Sequence, residues 1–190
     1  MVRQPGANRS QGGGPDTWCL EPPALALEPV VTTPIDIEIT AIDGEPRALS
    51  AWLTMFPLLP VVLDPFTHES AWILDTARRI LVAFSEAGCR PCFVLTSSAD
   101  DARRFLGPYA DEILTFADPD RTLAAALGIS SVPAFLLIKQ DGSVAASAEG
   151  WDPDAWRDVA EAVAELSQWT RPVIPGPGDP GPFSGTPVAG

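Results

Sequence analysis

Ser131-Val132-Pro133-Ala134-Phe135 is the stretch on which the fold turns. It follows a helical pattern that closes at Leu127-Gly128 and opens the apolar run Phe135 to Lys139. Proline cannot donate to a sheet ladder, so it is confined to strand starts, edges and bulges. Pro133 therefore marks the point where a loop hands over to a strand. Downstream, Gln140-Asp141-Gly142-Ser143 separates that run from Val144 to Ala148. The Asp-Gly pair reads as a hairpin turn. The chain then enters a last helix at Asp152-Pro153, a capping residue followed by proline at the first helical position. Trp156, Val159, Ala160, Val163 and Leu166 recur on one face of it.

Upstream, Ile35-Asp36-Ile37-Glu38-Ile39-Thr40 alternates strictly and meets Asp43-Gly44. That predicts a half-buried strand entering a hairpin. Pro60 to Leu63 is a short apolar run, read as a central strand. After it, Thr67 is placed to cap a helix with Ile73, Ala77, Ile80, Leu81 and Phe84 at helical spacing and Gly88 just past its end. A strand at Phe93 to Thr96 and a helix from Ala99 to Leu106 follow, the helix begun by Ser98 with Asp101 three residues on. Glu112 to Phe116 reads as a further strand, and Asp118-Pro119 as the start of a helix through Leu127. Strand-helix-strand units that end in an antiparallel hairpin predict an α/β sheet with helices on both faces. No internal repeat is visible.

Composition sets the domain limits. Residues 1–34 hold six prolines and four glycines, and residues 171–190 hold six prolines and five glycines. Such segments cannot build a core of their own, so 1–34 and 170–190 read as disordered leader and tail. The remaining 135 residues, Ile35 to Trp169, suffice for one domain. A net charge of −13 argues against nucleic acid and anionic membrane, because phosphate contacts need clustered Lys and Arg. Acidity of this kind also keeps a surface solvated. No apolar run approaches the roughly 18 residues of a membrane helix, and Met1 to Pro15 has no signal-peptide stretch. Together with three irregularly placed cysteines, Cys19, Cys89 and Cys92, this points to a reducing, cytoplasmic compartment.

The order of elements, the Val132-Pro133 loop and the closing hairpin resemble the thioredoxin-like superfamily. The extra strand-helix pair, Glu112 to Leu127, and the amino-terminal hairpin around Asp43-Gly44 and Leu49-Ser50 resemble its TlpA and peroxiredoxin branch. The resemblance implies a central mixed sheet with helices on both faces, a strand-helix insertion and an amino-terminal hairpin. It also implies a reactive cysteine at the amino end of the helix after the central strand. Here that region reads Phe66-Thr67-His68-Glu69-Ser70-Ala71-Trp72-Ile73, with Ser70 and Ile73 where TlpA-like proteins carry their two cysteines. The peroxiredoxin pattern of Phe-Thr, two residues and Cys is likewise met with serine, and that family's proline falls at Leu63.

Magnitudes decide what the serine does. A helix amino terminus favours an anion by about 0.3 to 1 kcal/mol, up to roughly 2. One pKa unit is about 1.4 kcal/mol. The field brings a thiol from about 8.5 to near neutrality, while an alkanol starts far higher and stays protonated. Serine forms neither disulfide nor sulfenic acid. Its remaining uses are a cap shared with Thr67, an anion site, or an acyl-transfer nucleophile with His68, the only histidine. No Gly-x-Ser-x-Gly elbow supports the last of these.

Cys89-Arg90-Pro91-Cys92 has the spacing of a redox pair. It lies between a helix carboxyl end and a strand, where the dipole disfavours a thiolate. Pro91 pushes Arg90 toward an extended conformation. An extended four-residue segment parts its end Cα atoms by about 10 Å, beyond the roughly 7 Å a disulfide spans. One Cys-x-x-Cys and one histidine do not supply a zinc site, and no cofactor is implied. Cys19, beside Trp18, reads as an incidental tail thiol or a link to another thiol. In relatives the edge at Val132-Pro133 holds extended substrates, which makes Phe66, Thr67, His68, Ser70, Trp72, Val132 and Pro133 candidate partner-binding residues, with Trp151 nearby.

These readings lead to a thioredoxin-like protein without the usual redox cysteines, acting as a non-catalytic module that binds a protein or extended peptide. The alternatives are a thiol-disulfide oxidoreductase or peroxidase using Cys89 and Cys92, and a structural module of a larger assembly. Oligomeric state is not legible.

Overall fold

A computed structural model describes residues 36–188. The expectations for the leader 1–34, Cys19 among them, lie outside the described residues.

Seven strands form one mixed sheet in the order β2-β1-β5-β4-β3-β7-β8. They are β1 (Glu38–Ala41), β2 (Pro46–Ala48), β3 (Leu58–Leu63), β4 (Arg90–Leu95), β5 (Leu114–Ala117), β7 (Ala134–Ile138) and β8 (Val144–Glu149). β3, β4 and β5 run parallel, with Val61 opposite Phe93 and Leu95 opposite Ala117. β7 pairs antiparallel with β3, Val62 facing Ala134, and β8 closes the predicted hairpin against β7. β1 and β2 make the amino-terminal hairpin on the far edge, antiparallel to β5. A second, two-stranded sheet joins β6 (Ser131–Val132) to β9 (Thr186–Pro187).

The helices are α1 (Leu49–Leu53), α2 (His68–Ala83), α3 (Ala99–Leu106), α4 (Tyr109–Glu112), α5 (Thr122–Ala126) and α6 (Pro153–Ser167). Because successive strand residues point to opposite faces, β3 divides its buried side chains between two cores. Leu59, Val61 and Leu63 join Ile73, Ile80, Phe84, Trp156 and Val159 from α2 and α6. Leu58 and Val62 join Leu49, Leu53, Leu123 and Leu127 on the other side. The central strands are buried on both faces, as a sheet covered by helices requires. Trp156 is fully buried, stacks on Phe135 at 5.0 Å and donates its indole N–H to Gly150 O at 2.7 Å.

Three expectations shift. β4 begins at Arg90 and not at Phe93, so Cys92 lies inside the strand. α5 starts at Thr122, four residues beyond the predicted cap, because the buried Asp118 carboxylate reaches forward to accept from the Leu123 and Ala124 N–H groups at 3.1 and 2.9 Å. The third concerns the tail. Residues 170–190, expected to be disordered, are placed against the domain as far as Val188. Ile174 is buried. Asp179 accepts from Thr76 Oγ1 at 2.8 Å, Arg79 Nη2 at 2.7 Å and its own chain's Gly176 N–H at 2.6 Å. Trp151 donates to Pro180 O at 2.8 Å and pairs with Phe183. A segment with no core of its own is held here by a core made elsewhere.

Candidate functional site

Three pieces meet at the carboxyl ends of β3 and β4: the amino terminus of α2, the turn before β7, and the carboxyl-terminal strand. Thr67 has extended backbone and caps α2, its hydroxyl accepting from the Ser70 N–H at 3.4 Å. Ser70 is fully buried. Its Oγ accepts from the Asp64 N–H at 2.9 Å and lies 2.8 Å from Thr67 Oγ1, which donates to Asp64 O at 3.0 Å. The hydroxyl is thus committed to closing the β3–α2 turn. His68 is exposed and stacks on Trp72, ring centroids 6.2 Å apart; no hydrogen bond joins it to Ser70 among the described residues. The acyl-transfer arrangement is not built. Phe66 and Trp72 are exposed at 73% and 58%, the widest aromatic surface at this end of the sheet.

The Val132–Pro133 bond is cis. Just before it, Ser130 and Ser131 present both backbone N–H groups and both hydroxyls to the Glu149 carboxylate, at 2.5 to 3.1 Å. Burial pushes the Glu149 carboxyl up, but these hydrogen bonds outweigh it and hold the group below its ordinary range. Glu149 thereby fixes the loop that sequence reasoning found without its anchor.

The edge of that loop is occupied. Val132 pairs with Thr186 and Ser131 with Pro187, while Val188 N–H donates to Ser130 O at 2.8 Å. Phe183 packs edge-on against Trp72 at 5.6 Å. The Glu69 carboxyl is held low, first by its own backbone N–H and then by Thr186. The approach is tight enough to require glycine. A Cβ at Gly185 would meet Val132 O and Ser131 Oγ at 2.9 Å, and one at Gly150 would meet Gly185 N at 2.8 Å, with φ +69°. Of the sequence candidates, Thr67 and Ser70 close the β3–α2 turn, His68 stacks on Trp72, Trp72 packs on Phe183 of the strap, Val132 pairs with the strap and Pro133 O accepts from Gly150 N–H, while Phe66 stays exposed. Trp151 is buried behind them, with its indole N–H on Pro180.

Cys89 and Cys92 are elsewhere. Leu95 ends β4 beside Leu63, so Cys89, six residues earlier, is about 20 Å away along extended chain. An odd separation in a strand also sends the two side chains to opposite faces. Cys89 packs in the α2 and α6 core and Cys92 in the α1 and α5 core. The sheet lies between them, and both are free thiols. A Cys89–Cys92 disulfide would need β4 to unwind.

Burial pushes Cys89 up to about 11, offset slightly by a backbone hydrogen bond, and its thiol donates to Phe84 O at 3.6 Å. Burial raises Cys92 further, against a small opposing pull from Arg90. Arg90 itself lies over the Trp52 ring at 5.5 Å. Cys89 differs from Cys92 in having a way out. It lines a cavity of about 510 Å³ with Met55, Phe56, Pro57, Leu137 and Leu166. Among the described residues no group of three or more His, Cys, Asp and Glu is placed to hold a metal ion, and no helix is long and apolar enough to cross a membrane.

No family model and no curated protein matches the chain. Solved structures do. A DsbE-type thiol:disulfide interchange protein from Chlorobium tepidum superposes with a TM-score of 0.60 at 17% identity, over 75% of this chain and 99% of that one. DsbF of Mycobacterium tuberculosis gives 0.57 at 16%, over 70% and 99%. The peroxidoxin BcpB of Mycobacterium tuberculosis gives 0.57 at 20%, over 71% and 96%. The fold is thioredoxin-like. A mixed seven-stranded sheet with flanking helices is what these structures share with it.

The non-catalytic binding module is therefore corrected. Among the solved structures that share this fold are, by name, thiol-disulfide and peroxide enzymes. The backbone edge assigned to a protein or peptide partner is already paired with Thr186–Pro187. Sequence reasoning missed Glu149, one residue past the predicted strand, and Asp179, in the loose tail; it named Asp118, but as a cap at the start of the helix and not as a carboxylate reaching forward to Leu123 and Ala124.

Proposed function

We propose that the protein reduces peroxides at a single sulfur, Cys89. The observation that carries this reading is the place of Cys89 in the wall of the cavity, 7% exposed, while Cys92 is sealed on the other face of the sheet. The peroxide and thiol-disulfide enzymes that share the fold support the class of chemistry. The cavity favours a small oxidant over a protein disulfide, which cannot bring its sulfur to a thiol so deeply set.

The step balances with one named co-reactant. The Cys89 thiolate attacks the terminal peroxide oxygen, an S–O bond forms, the O–O bond breaks, and the alcohol leaves with the proton the thiol has given up. The resulting sulfenic acid condenses with a low-molecular-weight thiol to a mixed disulfide and water. A second such thiol releases Cys89 and carries away the disulfide. We place this cycle in a reducing compartment such as the cytoplasm, where the recycling thiol is abundant. It is a slow cycle. With Cys89 at about 11, about one thiol in 10,000 is ionised at pH 7, and Cys89 follows the carboxyl end of α2, where no helix field assists.

The test is trapping of the sulfenic acid with dimedone and mass spectrometry of the natural chain, Cys89→Ser and Cys92→Ser. The expected label falls on Cys89, survives Cys92→Ser, and forms about tenfold faster per pH unit from 7 to 9. A label that forms only with denaturant overturns the proposal and leaves a structural module.

A further inference from the structure

We infer that the cavity beside Cys89 is a binding site for an uncharged amphiphile, a molecule with an apolar body and one hydrogen-bonding end. It shares its wall with the proposed reactive thiol but does not require that thiol to react.

The cavity lies at the opposite end of the sheet from the cis-proline loop. Its floor is Cys89, Leu137 and Val163, and its walls are Pro57, Phe56, Met55 and Leu166. Three of these leave large apolar surface in water: Met55 is 69% exposed, Leu166 51% and Phe56 37%. Contiguous exposed apolar surface around a concavity marks a binding site more often than it marks an ordinary surface. A volume of about 510 Å³ falls within the roughly 300 to 1,000 Å³ of small-molecule sites.

Charge at the mouth selects the ligand. Lys139, the only lysine of the chain, and Asp141 both line it. They belong to one turn, closed by Gly142 N–H on Lys139 O at 3.0 Å. Asp141 accepts from the Ser143 hydroxyl and N–H, and the ammonium of Lys139 adds to these in holding the carboxyl below its ordinary range. The end of α6 faces the same mouth through Leu166 and Ser167, with a partial negative charge of about half a unit. An anionic head meets Asp141 and the helix end. A cationic head meets Lys139 and must leave water for an apolar wall. The Cys89 thiol is neutral near pH 7, so the floor adds no charge. An uncharged hydroxyl finds donors and acceptors in Lys139, Gln140 and Asp141 without losing an ion's hydration.

Three probes with ten-carbon chains test this on the full chain: 1-decanol, decanoate and decyltrimethylammonium, titrated calorimetrically, with protection of Cys89 from N-ethylmaleimide as a second readout. Decanol should bind once per chain and protect Cys89, and both ions should bind at least about tenfold more weakly. Leu166→Glu and, separately, Met55→Glu, both at exposed positions, should each weaken decanol about tenfold or more. Decanol binding to the natural chain without dimedone labelling sinks only the thiol reading. Labelling without binding sinks only the ligand site. Equal binding of all three probes, binding indifferent to both Glu substitutions, or concentration-dependent dimerisation through this face overturns the proposal. So does decanol binding that appears only after residues 1–35 are removed, which would make the leader the occupant.

Discussion

The two ends of the central sheet differ in what they hold. At the carboxyl end of β3 stand the helix amino terminus, the cis-proline loop and the exposed aromatics, with Ser70 buried in the turn and a strap across the opening. At the amino end of β4 stand the sulfurs and a cavity, with no helix field to ionise them. The difference teaches that a pocket and a thiol do not make a tuned thiol. Position relative to the helix amino terminus sets how far ionisation is assisted, and burial sets how far it is opposed.

The largest effect should come from joining the two ends chemically. Ser70→Cys places sulfur where the Asp64 N–H and the first turn of α2 converge. Its thiol should titrate below 8.5, which is at least two pH units below Cys89. At pH 7 it should hold a thiolate population more than about 100-fold larger. Absorbance of the thiolate near 240 nm, read on Ser70→Cys with Cys19→Ser, Cys89→Ser and Cys92→Ser so that one thiol remains, measures this. A titration at or above 8.5 would show that burial at this turn overrides the helix and that the two ends do not differ as argued.

Next in size is the strap. Gly185→Val sets a branched side chain where even a Cβ would sit 2.9 Å from Val132 O. The strand must lift, uncovering Trp72 and breaking the pairing at Thr186. A loss of about 2 to 4 kcal/mol in denaturant unfolding is expected, with quenching of Trp72 fluorescence by acrylamide increased. Dimedone labelling of Cys89 should not change, because the cavity lies a sheet's length away. A coupled rise in labelling would break the comparison, since it would mean that the two ends open together.

How much of this was legible in the sequence follows from what each feature depends on. The order of strands and helices rests on local periodicity and caps, so the hairpin at Asp141-Gly142 and the start of α6 at Asp152-Pro153 fell where their residues indicated. The separation of Cys89 and Cys92 was legible as extended chain. Their placement on opposite faces needed β4 to begin at Arg90, which the proline at 91 conceals. The tail was misread for a physical reason. Pro and Gly content says that 170–190 cannot make a core, but it is silent on whether Arg79, Thr76 and Trp151 wait to hold it. Glu149 shows the same limit: its four hydrogen bonds come from Ser130 and Ser131, 19 and 18 residues earlier, joined to it only by the register of β7 and β8.

The buried thiols also leave a mark on stability. Cys89 is raised in the folded chain to about 11, against about 8.5 unfolded. Below pH 8 both states hold the proton and the thiol costs nothing. Between about 8.5 and 11 the unfolded chain ionises while the folded chain does not, so folding stability falls as pH rises. The loss from Cys89 should reach about 1 to 3 kcal/mol at pH 11. Cys92 is raised in the same direction and adds to the slope. Urea unfolding at pH 8, 9, 10 and 11 reads it, and Cys89→Ala should flatten the curve relative to the natural chain. An unchanged slope would place the Cys89 sulfur in water.

The smallest effect tests the anchor of the strapped end. Glu149→Gln keeps the shape but replaces a carboxylate that accepts four hydrogen bonds with an amide that has one acceptor oxygen. The loop before Pro133 should loosen, seen as faster amide exchange at Ser130, Ser131 and Val188 while β4 amides keep their protection. Because the Glu149 carboxyl is held below its ordinary range when folded, its contribution is present above about pH 4.3 and fades as pH falls through the lowered value. The natural chain at low pH should therefore approach the exchange pattern of Glu149→Gln at neutral pH. Matching patterns would tie the loop's order to that one charge. Persisting protection in Glu149→Gln would assign it instead to the backbone pairing of Val132 with Thr186, making the strap, and not the carboxylate, the element that holds this end of the sheet.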